Sequence, residues 1–152
     1  MHAATDEGLG TAPSRQNARA DMACWEVRMP RPVHFEMNFA DIEKAKEFYG
    51  SVFGWTFKKF GNDAMPYWLT TTGPDSEMGI NGGLMTRHPG MSPGTVNTMG
   101  VESVDKAVDQ IKAAGGSIAM EKMAIPGMGW VAYGTDLEGT LFGVFEMDSA
   151  AA

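Results

Sequence analysis

Cysteine is almost missing from this chain. Cys24 is the only one among 152 residues, which excludes an intrachain disulfide and a cysteine-rich zinc site and makes a reducing, cytoplasmic setting the expectation. Positive charge is also scarce, with 12 Lys and Arg against 19 Asp and Glu and no basic run, so nucleic acid and anionic membrane are poor partners. No apolar stretch approaches the roughly 20 residues that span a bilayer. Asp6, Glu7, Arg15 and Arg19 break up what would have to be the apolar part of a signal peptide. Histidine is rare as well, with three in the chain.

What the chain does have is methionine, 13 in all. Met65, Met78, Met85, Met91, Met99, Met120, Met123 and Met128 fall in or beside segments that read as strands or connecting loops. Thioether side chains fill cores or line adaptable apolar pockets, and both readings stand.

The length suits one domain with a real core. Residues 1–29 are rich in Ala, Gly, Ser and Asp, lack a period and end at Pro30-Arg31-Pro32, so they read as a disordered or loosely attached extension. Trp25 and Val27 could pack back as an added edge. The domain proper is expected over 30–149.

Alternation begins at Val33. Val33, Phe35, Met37 and Phe39 fall on one face of a strand, with His34, Glu36 and Asn38 on the other. Asp41 then caps a helix carrying Ile42, Ala45, Phe48, Tyr49, Val52 and Phe53 at helical spacing, and Gly54 ends it. Strands are predicted at Trp55–Phe60, Tyr67–Thr72 and Ile80–Thr86. The same order then returns: a strand at Asn97–Val101, and a helix capped by Ser103, with Val104, Ala107, Val108 and Ile111 inward, that stops at Gly115-Gly116. Strands follow at Ser117–Lys122, Trp130–Gly134 and Thr140–Met147, the last two joined by the turn Asp136-Leu137-Glu138-Gly139. A constant offset of 62 residues sets Ile42 on Val104, Ala45 on Ala107 and Gly54 on Gly116. The prediction is an α+β fold of two βαβββ modules, 33–87 and 95–147, in a cupped mixed sheet. A ferredoxin-like βαββαβ domain is the rival, but it puts fewer strands between its helices.

The stretch His34-Phe35-Glu36-Met37-Asn38-Phe39-Ala40-Asp41, with Ala45-Lys46-Glu47-Phe48-Tyr49 and Phe53-Gly54-Trp55, resembles the opening of glyoxalase and bleomycin-resistance domains, the vicinal-oxygen-chelate superfamily that also holds extradiol dioxygenases. Val101 to Ala107, Ala114-Gly115-Gly116 and Asp136 to Gly143 continue the likeness, which spans about 33–147.

Metal-using members of that family place one ligand on the first and one on the last strand of each module. His34 falls on the first such position. Its counterpart in the second module is Val96, with Asn97 beside it; the last strands offer Asn81, Gly82 or Gly83, and Gly143. Glu36 could substitute, whereas Glu146 has the wrong strand parity. One ligand of four is a poor site for a divalent cation, so the expectation is no metal and no other cofactor.

Two functions follow. One is binding of a small apolar or aromatic molecule in the cup, with His34, Glu36 and Asn38 as polar floor and Trp68, Met128 and Trp130 as apolar contacts; Trp55, Phe57, Tyr67 and Tyr133 are further candidates, and about half of all these aromatics should instead face the helices. The alternative is a lyase, isomerase or dioxygenase of the same superfamily, using a divalent metal at His34 or acid–base chemistry between His34 and Glu36. A homodimer is implied by the resemblance alone. Gly82-Gly83 and Gly127-Met128-Gly129 lack the context of phosphate loops and are read as bends or close approaches. Cys24 has no foreseeable activating partner, and His88, before Pro89-Gly90, reads as a solvated linker residue.

Overall fold

A computed structural model describes residues 30–61, 63 and 66–152. The expectations for 1–29, including Cys24, Trp25 and Val27, and for Met65 lie outside the described residues.

Ten elements follow one another. They are β1 (Arg31–Phe39), α1 (Ile42–Phe53), β2 (Thr56–Phe60), β3 (Tyr67–Thr71), β4 (Gly82–Thr86), β5 (Thr95–Gly100), α2 (Val104–Ala113), β6 (Ser117–Ile125), β7 (Gly129–Thr135) and β8 (Leu141–Met147). The strands form a single mixed sheet ordered β2-β3-β4-β1-β5-β8-β7-β6. The two βαβββ modules meet at its centre, where β1 and β5 pair antiparallel. In each module the first strand pairs parallel with the last, β1 with β4 and β5 with β8. A parallel pair needs a crossover between its members, and the helix with two further strands supplies it.

Helix ends follow from local chemistry. Asp41 accepts from the Lys44 amide at 3.1 Å, and Gly54, with φ at +71°, closes α1 in the left-handed region. Ser103 accepts from the Lys106 amide, and Gly115, with φ at +88°, follows the end of α2. A second N-terminal acceptor comes from far along the chain: the Glu146 carboxylate takes the Val104 amide at 2.9 Å. That use places Glu146 on the helix-facing side, in line with its strand parity.

The cores lie between the helices and one face of the sheet. Under α1 are Ile42, Ala45 and Leu84, with Met37, Phe39, Phe57 and Trp68 against them. Under α2 are Val104, Ala107, Val108, Ala132 and Val144, with Ile111, Ile118, Trp130 and Phe142 around them. Among the described residues no helix is long and apolar enough to cross a membrane. Of the methionines, Met78, Met120, Met123 and Met128 are exposed, while Met37 packs against the first core.

Candidate functional site

The face opposite the helices takes its floor from β1. His34, Glu36 and Asn38 alternate with Met37 and Phe39, which pack under α1, so the three polar side chains point to the open side. The cross-strand register then decides what surrounds them. His34 stands opposite Thr98, Glu36 stands between Val96 and Gly83, and Thr98 stands beside Gly143, with Tyr133 next in the same row.

Two tyrosines converge on Glu36 from opposite ends of the sheet. Tyr133 on β7 donates its hydroxyl to Glu36 Oε2 at 2.8 Å, and Tyr67 on β3 donates to Oε1 at 3.2 Å. The Tyr67 hydroxyl also lies 2.7 Å from His34 Nε2. β7 is three strands from β1, roughly 14 Å along a flat sheet at ~4.8 Å per strand. A direct bond over that span requires the sheet to curl, so the Tyr133 to Glu36 contact is a marker of the cup.

Glycine makes room in the floor. A side chain at Gly83 would overlap the Tyr67 hydroxyl and ring carbon, so the tyrosine lies across the bare backbone of β4. At Gly143 a Cβ would come 2.5 Å from Thr98 Oγ1. The sequence reading of Gly82-Gly83 as a place of close approach therefore has a specific object, a side chain of the same domain.

The electrostatics follow from burial around a carboxylate. Burial pushes the Tyr67 and Tyr133 hydroxyls well above the ordinary tyrosine range, and the negative charge of Glu36 adds to it, so both remain donors at any physiological pH. Burial lowers the basicity of His34, and the attraction of Glu36 partly offsets it. A carboxylate only accepts. With Tyr67 donating to Glu36, the neutral imidazole that completes the chain carries its proton on Nε2 and donates to Tyr67.

The sequence-predicted residues divide by position. His34 and Glu36 are brought together through Tyr67. Asn38 is buried at the end of the same strand, where its side chain accepts from Arg87 Nε at 2.8 Å and donates to the Gly94 carbonyl at 3.3 Å. Trp68 and Trp130, expected in the cup, stand on the helix-covered face because the strand register puts Leu69 opposite Gly83 and Tyr133 opposite Gly143, sending their neighbours the other way. Each tryptophan there carries a lysine over its ring, Lys46 on Trp68 and Lys122 on Trp130. Met128, likewise expected in the cup, is exposed in the tight connection between β6 and β7. Phe57 also packs under α1, and Trp55 stacks on Tyr49 at the end of that helix. Tyr67 and Tyr133 were legible only as members of an aromatic list. Their alternation with Trp68, Ala132 and Gly134 sets them opposite to those residues, and the cross-strand register is what makes their face the open one.

The metal positions of the resemblance do not fit a cation. His34 has its Nε2 on Tyr67, Val96 is a buried aliphatic side chain, Gly83 and Gly143 carry no donor, and Glu146 is committed to the end of α2. Among the described residues no three His, Cys, Asp or Glu gather closely enough to hold an ion. Cavities of about 340 Å³, beside the β3–β4 connection, and about 200 Å³, at Asn38 and Arg87, both lie away from the tyrosines.

Comparison with known proteins agrees with this architecture. Residues 31–65 match the family model described as bleomycin resistance protein-like N-terminal. No curated protein matches the sequence. Among solved structures, methylmalonyl-CoA epimerase from Mycobacterium tuberculosis superposes with a TM-score of 0.59 at 18% identity, over 77% of this chain and 87% of that one. A hypothetical protein from Bacillus halodurans gives 0.60 at 15% identity, over 82% and 99%. A Streptomyces coelicolor methylmalonyl-CoA epimerase variant, in complex with 2-nitronate-propionyl-CoA, gives 0.60 at 15% identity, over 77% and 96%. At these identities the structural likeness is one of fold. Taken with the family match over the opening of the first module, it supports the resemblance of this chain to the vicinal-oxygen-chelate proteins of the glyoxalase and bleomycin-resistance type, whose fold it shares.

Proposed function

We propose that the domain binds a small, partly apolar molecule in its cup, oriented by Glu36 and the two tyrosine hydroxyls and without a metal. The observation that carries this reading is the carboxylate of Glu36 held by Tyr67 from the first module and Tyr133 from the second. Four groups converge on one point of the open face, and burial keeps the two tyrosine hydroxyls protonated as donors. Each carboxylate oxygen accepts one hydroxyl and keeps capacity for another donor, so a ligand bearing an N–H or O–H would complete the set. Leu69, Met85, Val131 and Phe145 share that face by register and supply apolar contact. The homodimer implied by the resemblance belongs to the same reading.

A second reading, acid–base catalysis, is favoured by the continuous chain from His34 through Tyr67 to Glu36. Such a chain can pass a proton between imidazole and carboxylate without a metal. Several proteins of similar fold are methylmalonyl-CoA epimerases. For this chain the inference extends to proton movement and to no particular substrate.

The test is Glu36→Gln with Tyr133→Phe beside it, each measured for thermal midpoint and for affinity toward a hit from a small-molecule screen against the folded protein. Glu36→Gln is expected to weaken binding at least tenfold, about 1.4 kcal/mol, with the fold retained. Lost stability with unchanged affinity per folded molecule would reassign the network to structure. Turnover that disappears in Glu36→Gln while affinity persists would favour the second reading.

A further inference from the structure

A second site lies at the rim of the sheet, where β1 ends, β4 gives way to Arg87 and Pro93-Gly94 leads into β5. A cavity of about 200 Å³ opens there, walled by Met37, Phe39, Tyr49 and Pro93, with Arg87 on its lining. Arg87 is not a loose surface cation. Its Nε donates to Asn38 Oδ1 at 2.8 Å and its Nη2 to the Asn38 carbonyl at 3.3 Å, while its own amide donates to the Phe39 carbonyl at 2.9 Å. Asn38 is fixed in turn, because it is 4% exposed and its amide group donates to the Gly94 carbonyl.

Asn38 thus occupies one edge of the guanidinium plane, the edge formed by Nε and Nη2. A guanidinium has five N–H groups, and the Asn38 bonds use two. The end-on edge formed by Nη1 and Nη2 is left in a fixed orientation. Among the described residues no carboxylate forms an ion pair with Arg87, and no buried side-chain donor is left without a partner, so that edge reaches the cavity or solvent.

A planar pair of parallel donors beside apolar walls selects its ligand by charge and by the body it carries. Carboxylate and phosphate can both meet such an edge with two parallel bonds, but a single cation balances one negative charge, so beside apolar walls the singly charged carboxylate costs less to desolvate than a phosphate dianion. The cavity is below the usual range for drug-sized ligands, ~300–1,000 Å³. We propose that this rim pocket is a binding site for a small free monocarboxylate with an apolar body, seated end-on against Arg87. The site stands independently of the function proposed for the cup, because Glu36, Tyr67 and Tyr133 do not line it.

Calorimetric titration with sodium benzoate, at ionic strength held constant with sodium chloride, tests the assignment. Saturable binding to the wild-type protein is expected, weakened at least tenfold in Arg87→Lys, which keeps the charge and loses the planar edge. Thr95→Trp, whose bulk would enter the cavity from its lining while leaving the Asn38 to Arg87 clamp intact, should weaken it as much, and it decides the matter if Arg87→Lys fails to fold. Inorganic phosphate and N-acetylphenylalanine, a stand-in for a chain-terminal carboxylate, should both bind more weakly than benzoate. Absence of saturable benzoate binding, equal affinity in the variants, or tighter binding of either alternative probe would overturn the proposal.

Discussion

The two modules share one backbone plan and load it differently. Leu84 and Val144 hold equivalent core positions beneath their helices, and Gly83 and Gly143 hold equivalent floor positions one residue earlier. Beside those glycines the first module sets Glu36 and the second sets Thr98. The position of His34 is Val96 in the second module, and the tyrosines do not correspond either, since Tyr133 faces Gly143 whereas Leu69 faces Gly83. Duplicated geometry therefore carries an asymmetric site, with most of the polar chemistry on the first module and one long side chain sent over from the second. A pair of folds related by repetition constrains where side chains can point. It leaves open which of them are polar.

The widest test of this comparison is in the cores. Leu84 is fully buried at the centre of a cluster with two other buried residues, while Val144 shares its cluster with four. Leu84→Ala should cost about 4 kcal/mol and Val144→Ala about 2 kcal/mol, since deletion leaves a larger void where fewer neighbours can close it. Denaturant unfolding of both variants checks this. Equal costs would mean that the modules support each other through β1 and β5 more than through their own helices.

The floor glycines give a sharper contrast. At Gly143 the neighbouring atoms belong to the near end of a buried β-branched side chain, so Gly143→Ala forces backbone to move and should cost about 2 kcal/mol. At Gly83 the neighbour is the far end of Tyr67, which can swing toward the open face. Gly83→Ala should cost about 2 kcal/mol as well, ~1 kcal/mol for each of the two hydrogen bonds lost, but it should do so by breaking the Tyr67 contacts to His34 and Glu36. Tyrosine near-ultraviolet circular dichroism should change in Gly83→Ala and stay near wild type in Gly143→Ala. The reverse pattern would show that Tyr67 is held by something other than its bed of glycine.

Sequence and structure agree most where periodicity speaks. The alternation from Val33 and the helical spacing after Asp41 and Ser103 placed the helices to within a residue or two and the strands nearly as well. The repeat offset identified the paired modules. Which face each middle-strand aromatic occupied was not legible, because parity needs a register and register is set by pairing across the sheet. Trp68 and Trp130 have the size and polarity of ligand contacts, but Leu69 opposite Gly83 and Tyr133 opposite Gly143 turn them toward the helices. Asn38 was legible as sharing a face with His34 and Glu36, while its engagement with Arg87, 49 residues away, was not.

The smallest expected effect isolates the one titrating imidazole that the first module has and the second lacks. His34 has its pKa lowered, by burial first and against the opposing pull of Glu36. The unfolded chain returns it to about 6.5. Above that value both states are neutral and the group contributes nothing that depends on pH. As pH falls below 6.5 the unfolded state binds a proton that the folded state still refuses, so stability declines until pH reaches the lower, folded value. The aspartates held low by backbone amides, Asp41, Asp136 and Asp148, act in a separate window, at and below their ordinary value of 3.8. Thermal midpoints of the wild type should therefore fall between pH 7 and pH 5, and His34→Gln should flatten that part of the curve while leaving the acid limb unchanged. Parallel curves for the two proteins would mean that burial and Glu36 cancel and leave the imidazole the same pKa folded and unfolded, whereas a steeper fall in His34→Gln would mean that Glu36 outweighs burial and the folded state holds the proton on the histidine.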